Sequence, residues 1–134
     1  MPADRAPRLL VVDDEGPVRR LLERMLRDAG YNVTVAEDGV AALARAATVE
    51  PFDLLVSDLR MPEMQGDELA RRLRRATPAL KVLYVTGFTD RLFAERTVLW
   101  EDEAFLEKPF TQSSLGEAVS LVLFGHTRGL RPTP

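Results

Sequence analysis

The chain has 134 residues, of which 46% are hydrophobic and 29% charged, and its formal net charge is -3. This size and composition fit one globular domain with a full core and leave no room for a second folded domain. The negative charge gives no general attraction to nucleic acid, and the lack of cysteine excludes disulfides and thiolate metal sites. We expect a cytoplasmic domain over residues 7–125 with flexible termini at 1–6 and 126–134. The first residues have no apolar signal-peptide core, and no apolar run is long enough to span a bilayer.

Apolar runs typical of strands alternate along the chain with apolar residues at helical spacing. The predicted strands are 9–12, 32–36, 52–57, 81–86 and 104–107. Helical spacing follows each strand, with the first apolar residues at Val18, Val40, Leu69, Leu92 and Leu115. Five such units predict a parallel sheet between two helical layers, a three-layer α/β/α sandwich. We expect the first, third and fourth strands at the centre and the second and fifth at the edges.

Candidate caps and stops mark where the predicted helices begin and end. Asp67 is a candidate cap for the third helix, and Thr89 or Asp90 for the fourth. Gly30 ends the first helix, and the last helix ends near Gly125.

Three carboxylates follow two of the apolar runs directly. Asp13 and Asp14 end the first predicted strand, and Asp58 ends the third. If these strands are neighbours in a parallel sheet, the three acids meet at its carboxyl edge, where open α/β sheets bind ligands. Clustered carboxylates raise one another's pKa unless a positive charge lies among them, and a hard cation such as Mg2+ prefers oxygen ligands. The alternative for each acid is an ordinary turn or helix cap, for Asp13 and Asp14 at the helix that starts near Pro17.

Four segments in order carry a resemblance to a known family. The sequence resembles a response-regulator receiver domain of two-component signalling over about residues 7 to 125. The matching segments are 9–15 (LLVVDDE), 58–66 (DLRMPEMQG), 85–87 (VTG) and 106–110 (LEKPF). The resemblance implies a flavodoxin-like sandwich with five helices and the strand order 2-1-3-4-5, with its site between the first and third strands.

The same resemblance implies a phosphoryl chemistry for the acids. Asp58 would be the nucleophile that takes up a phosphoryl group as an aspartyl phosphate. Asp14 would bind Mg2+ directly, Asp13 mainly through water, and Asp58 and the backbone carbonyl of Arg60 would complete the ligands from the protein.

The resemblance also implies roles for three residues outside the acid cluster. Lys108 would pair with the phosphoryl oxygens, and the hydroxyl of Thr86 would hydrogen-bond to the same group. Phe105, three residues before Lys108, would be the aromatic residue that reports the phosphoryl state to the face formed by the fourth helix, the fifth strand and the last helix. The ordinary alternatives are a solvated lysine, a strand threonine and a packed phenylalanine. The Lys108-Pro109 bond is predicted to be cis, as in family members with this pair.

A histidine kinase or phosphotransfer domain is the expected phosphodonor, and an unidentified downstream protein is the expected target. Pro17, Val18, Leu21 and Phe110 match family docking positions, although we interpret Val18 and Leu21 as core residues of the first helix. We expect no nucleic-acid partner, because the four arginines between 71 and 75 form a solvated helix face on an acidic chain. We expect no membrane insertion, because no apolar run is long enough to span a bilayer.

Alternatives to a single-domain response regulator remain open on the sequence. The chain could be the receiver segment of a hybrid sensor kinase, since 82–89 and 105–111 resemble receivers of that kind. A Mg2+-dependent phosphohydrolase of the haloacid dehalogenase kind would need a second aspartate two residues after its nucleophile, where Arg60 stands. We therefore expect a signalling receiver that catalyses only its own phosphoryl uptake and loss.

Overall fold

A single parallel sheet forms the centre of the molecule. The computed structural model describes residues 5–48, 50–87 and 103–125. The strands are β1 (Arg8–Val12), β2 (Asn32–Ala36), β3 (Leu54–Ser57), β4 (Lys81–Thr86) and β5 (Glu103–Glu107). All neighbouring strands are parallel, and their order is β2-β1-β3-β4-β5. The predicted class, strand order and edge strands are confirmed.

Helices cover both faces of this sheet. They are α1 (Gly16–Asp28), α2 (Gly39–Ala46), α3 (Gly66–Ala76) and α4 (Gln112–Phe124). The helix predicted after β4, with Leu92 among its apolar residues, lies outside the described residues. Four of the five predicted helices therefore fall in the part of the chain that the structure describes.

Two apolar cores explain why the central strands read as continuous hydrophobic runs. On one face, Leu10 and Leu55 pack with α2 and α3 through residues such as Leu69. On the other face, Val11 packs with α1 and α4 through residues such as Leu115. Successive side chains of a strand point to opposite faces, so a strand covered on both faces must be apolar throughout.

Two predictions about individual helix residues are wrong. The residue that caps α3 is Gln65, and Asp67 lies in the first turn, where its charge is favourable near the positive end of the helix dipole. The helix begins earlier because the backbone N–H of Gly66 donates to the carbonyl of Leu59 over 2.7 Å and turns the chain there. On α1, Val18 packs against the core, but Leu21 is 43% exposed.

The register of the central strands determines where the acids lie. Val12 pairs with Ser57 across β1 and β3, and the backbone N–H of Asp58 donates to the carbonyl of Val12 over 3.1 Å. The residues that follow these two strands therefore emerge side by side at the carboxyl edge of the sheet. None of the helices in the described ranges has the length and apolar character that crossing a membrane requires.

Candidate functional site

The three strand-end acids converge as the sequence predicted. One carboxylate oxygen from each of Asp13, Asp14 and Asp58 lies within 4.8 Å of the other two. Asp13 is fully buried and Asp58 is 3% exposed, whereas Asp14 is exposed. Two buried acids and one at the surface therefore form a cluster of oxygen ligands that opens to solvent on one side.

Backbone groups fix the two buried carboxylates. The N–H of Glu15 donates to Asp13 Oδ1 over 2.9 Å, and the N–H of Arg60 donates to Asp58 Oδ1 over 3.3 Å. The guanidinium of Arg19 donates to the backbone carbonyl of Asp13 over 2.7 Å. The capping residue of α1 is Glu15, and its side chain makes no hydrogen bond to the helix. Asp13 and Asp58 each accept from the N–H two residues further on, so of the two ordinary alternatives the structure adopts the turn and not the helix cap.

Lys108 follows β5 and brings the positive charge to the cluster. Its Nζ lies 3.3 Å from Asp58 Oδ2 and 3.4 Å from Asp13 Oδ2. Its backbone N–H donates to the carbonyl of Thr86 over 2.7 Å, which ties the end of β5 to the end of β4. The Lys108-Pro109 bond is cis, as predicted. One ammonium group thus faces two buried carboxylates from two other strands.

Burial makes negative charge unfavourable at this edge of the sheet. Loss of solvation raises the pKa of Asp58 to about 6, with Lys108 lowering it in part and Asp13 raising it. Burial likewise raises the pKa of Asp13 above its usual value, against the effects of the Glu15 N–H and Lys108. Burial disfavours the charge of Lys108, but the two acids outweigh it and raise the pKa of that group. The site therefore has more negative charge than Lys108 alone compensates.

Thr86 contributes a free hydroxyl at the end of β4. Its Oγ1 is buried and has no hydrogen-bond partner among the residues that the structure describes. Leaving such a group unsatisfied costs about 1–3 kcal/mol, so most buried hydroxyls are paired. A buried, unpaired donor at this edge is suited to an acceptor supplied by a ligand.

Gly66 has a structural role that was not predicted from the sequence. A Cβ at this position would lie 2.3 Å from the backbone oxygen of Asp58 and 3.1 Å from Ser57 Oγ. The start of α3 therefore packs directly on the backbone that carries Asp58, and only glycine fits there. Its place at the end of the 58–66 segment was the one available signal in the sequence.

Phe105 lies on β5, on the same face of the sheet as Tyr84 of β4. The two rings have centroids 5.4 Å apart, and Phe105 is half-buried against the core under α2 and α3. The structure therefore includes Phe105 in the edge of the core, and its role as a reporter of phosphorylation stays a prediction. Thr89 and Asp90, the candidate caps of the fourth predicted helix, lie outside the described residues.

Comparisons with known proteins agree with this geometry. Residues 9–120 match the response regulator receiver domain family. The chain belongs to this family. It is 38% identical over 116 residues to the response regulator receiver protein CpdR of Brucella abortus, an alignment that covers 87% of this chain and 96% of that protein. It is 37% identical over 116 residues to the sensor kinase CckA of the same organism, covering 86% of this chain and 12% of the kinase.

A solved structure gives the same result. The receiver domain superposes on a response regulator receiver protein from Sinorhizobium medicae with a TM-score of 0.77 and 32% identity, covering 89% of this chain and 95% of that one. The receiver domain is thus a phosphoacceptor domain of two-component signalling. Its similarity to CckA gives the hybrid-kinase alternative no advantage over its similarity to CpdR. The family match also favours a signalling receiver over the phosphohydrolase alternative.

Proposed function

We propose that this receiver takes up a phosphoryl group on Asp58, with Lys108 and Thr86 as the residues that hold that group. The single observation that carries the proposal is the convergence of the three strand-end acids, two of which face Lys108 Nζ at 3.3 Å (Asp58) and 3.4 Å (Asp13). Of the two buried acids, Asp58 is the one at the end of β3, beside both β1 and β4. A group bound to Asp58 is therefore close to the residues at the carboxyl ends of β1, β3 and β4.

The reaction is an in-line displacement at phosphorus. An oxygen of Asp58 forms a bond to phosphorus while the bond from phosphorus to the donor breaks, and the leaving group keeps that electron pair. The attacking carboxylate must be ionised. With a pKa of about 6, Asp58 is largely ionised at neutral pH, and positive charge placed beside it increases that fraction.

Lys108 and Thr86 interact with the negatively charged oxygens of the phosphoryl group. Lys108 Nζ already lies between Asp58 and Asp13, so it reaches phosphoryl oxygens on Asp58 without moving far. The buried hydroxyl of Thr86 gains the acceptor that it lacks among the described residues. Both interactions are stronger with the phosphorylated than with the free carboxylate, which is the difference that stabilises the product.

The donor set fits a divalent cation, and we propose Mg2+. Asp13, Asp14 and Asp58 offer only oxygen ligands, and the raised pKa values of the two buried acids indicate negative charge that a cation would compensate. The backbone carbonyl of Arg60, which follows Asp58 by two residues, is the proposed fourth ligand from the protein. When bound, the cation would neutralise charge on the phosphoryl oxygens.

We propose the partners from the family to which the chain belongs. A histidine kinase or phosphotransfer domain in the cytoplasm supplies the phosphoryl group, and an unidentified downstream protein binds the face that changes with phosphorylation. We propose that Phe105 carries that change, because it lies on the edge strand next to the strand that ends in Thr86. Such a ring occupies one of two positions according to the state of the site.

Intact-mass spectrometry after incubation with acetyl phosphate tests the proposal. The wild type should gain one phosphoryl group in the presence of Mg2+ and none in the presence of a chelator. Asp58→Asn should gain none, since its amide cannot displace the donor. The matched variant Asp53→Asn, which changes an aspartate before β3 rather than after it, should be labelled like the wild type.

Two results would contradict the proposal. Full labelling of Asp58→Asn would mean that another residue is the acceptor. No labelling of the wild type by acetyl phosphate or by a phosphorylated kinase would mean that the domain acts without phosphorylation.

A further inference from the structure

A buried ion pair joins α3 to the edge strand β5 on the face of the sheet that carries Phe105. Arg74 Nη1 lies 2.5 Å from Glu103 Oε2, and Arg74 Nε donates to the carbonyl of Leu80 over 2.9 Å. The side chain of Glu103 is only 3% exposed, and that of Arg74 is 18% exposed. This pair lies at the opposite end of β5 from Lys108 and takes no part in the site described above.

Tyr84 continues the contact from the ion pair to Phe105. Its hydroxyl donates to Glu103 Oε2 over 3.4 Å, and its ring, 1% exposed, packs on the ring of Phe105. Burial and the charge of Glu103 raise the pKa of Tyr84 far above its usual value, so the hydroxyl stays protonated and remains a donor. The side chain of Tyr84 therefore contacts Glu103 through its hydroxyl and Phe105 through its ring, with the two rings tilted by 37°.

The strand register places this contact on the same face of the sheet as Thr86. Tyr84 pairs with Phe105 across β4 and β5, and side chains two residues apart on a strand share a face. Thr86 follows Tyr84 on that face of β4, and Glu103 precedes Phe105 on that face of β5. A ring at position 105 therefore lies directly across from Tyr84 and diagonal to Thr86 on the same face of the sheet.

We propose that Arg74, Glu103 and Tyr84, here called the α3–β5 clamp, are positioning residues that fix the resting position of the Phe105 ring and so set its response to the phosphoryl group. The inference rests on the proposed function for the role of Phe105. Two ring positions exchange according to their relative free energies, and a contact made in one position alone biases the populations toward it. The clamp supplies such a contact to the resting position.

The physical character of the clamp favours a positioning role over a purely stabilising one. A buried ion pair contributes little net stability compared with apolar residues of similar volume, because desolvation offsets the attraction. Its geometry is nevertheless specific, since the guanidinium contacts both Glu103 and the Leu80 carbonyl. β5 is an edge strand with half-buried residues throughout, so its position depends strongly on such specific contacts.

NMR of the Phe105 ring in the full chain tests the proposal. Tyr84→Phe removes only the hydroxyl that Glu103 holds, and Glu103→Gln removes the charge that Arg74 holds. Without a phosphodonor, the Phe105 signals of both variants should show exchange broadening several-fold above the wild type. With acetyl phosphate and Mg2+, the wild-type signals should move, and the unphosphorylated variants should lie part of the way along that path.

Arg71→Met is the matched control, because Arg71 is an exposed arginine on the same helix that pairs with Asp67 one turn away. Its Phe105 signals should match those of the wild type. The double variant Tyr84→Phe with Glu103→Gln should shift Phe105 by less than the sum of the two single changes, since both changes act through the side chain of Glu103.

The outcomes separate this inference from the proposed function. Lower stability in Tyr84→Phe and Glu103→Gln with Phe105 signals unchanged would overturn the clamp and leave a structural ion pair. If the wild type takes up no phosphoryl group, the proposed function fails, and exchange broadening without donor still decides whether the clamp holds the ring. If Glu103→Gln fails to fold, Tyr84→Phe alone carries the same decision.

Discussion

Asp58→Asn should stabilise the metal-free protein at neutral pH, although it removes the proposed nucleophile. Burial raises the pKa of Asp58 from 3.8 to about 6, so the folded protein binds this proton more tightly than the unfolded chain does. The shift of about two pH units corresponds to at most roughly 3 kcal/mol of folding free energy, and this stability is lost when Asp58 ionises. Asparagine has nearly the same shape as aspartate but no charge, so the Asp58→Asn variant does not lose this stability at neutral pH.

The sign of the pH dependence follows from the same shift. Because the folded pKa is raised, the favourable contribution of Asp58 is complete below pH 3.8 and is lost as the pH rises through about 6. Asp58→Asn should therefore differ little from the wild type at pH 4. At pH 7.5 and in the presence of a chelator, it should be more stable by about 2–3 kcal/mol.

Urea unfolding followed by circular dichroism at both pH values measures this difference. Asp14→Asn is the control, since it removes the same formal charge from an exposed side chain of the same cluster and should stabilise far less. Adding Mg2+ at pH 7.5 should stabilise the wild type and reduce the advantage of Asp58→Asn, because the cation compensates the buried charge. Equal or lower stability of Asp58→Asn without metal would refute the reasoning from burial.

Three further predictions test individual residues. Asp14→Ala should abolish the saturable amide shifts that Mg2+ titration produces in the wild type, and unchanged binding would place the cation elsewhere. Thr86→Val should stabilise the unphosphorylated protein by about 1 kcal/mol, because it replaces an unpaired buried hydroxyl, and should slow phosphoryl uptake about tenfold. Urea unfolding measures the stability and intact-mass kinetics measure the uptake. Uptake at the wild-type rate would exclude the hydroxyl from the site. Gly66→Ala should lower the free energy of unfolding by about 2 kcal/mol or more, since its Cβ would lie 2.3 Å from the Asp58 carbonyl oxygen. An unchanged free energy of unfolding in urea would mean that α3 can shift to make room for the methyl group.

The fold was predictable because its signals are local and repeat along the chain. Each central strand is a continuous apolar run, and each acid directly follows such a run, so strand ends and acid positions came from the same pattern. The strand order needed the family resemblance, since alternation alone predicts a parallel sheet without its order. The resemblance also supplied the positions of Lys108 and Thr86, which the structure brings to the carboxyl edge with the acids.

Features that depend on distant contacts were not predictable from the pattern. Leu21 has the spacing of a core residue but lies at the margin of the apolar stripe, where spacing does not distinguish buried from exposed. The start of α3 at Gly66 depends on a backbone contact with Leu59, and no cap signal in the sequence shows it. Arg74 and Glu103 are 29 residues apart, and neither periodicity nor a motif relates them.

Chemical trapping of the phosphorylated residue tests the central claim most directly. Borohydride reduces an aspartyl phosphate to homoserine, and tandem mass spectrometry of the digested protein locates that residue. After incubation with acetyl phosphate and Mg2+, homoserine should appear at position 58 and at no other aspartate. Homoserine at Asp13, Asp14 or another acid, with position 58 unchanged, would contradict the account.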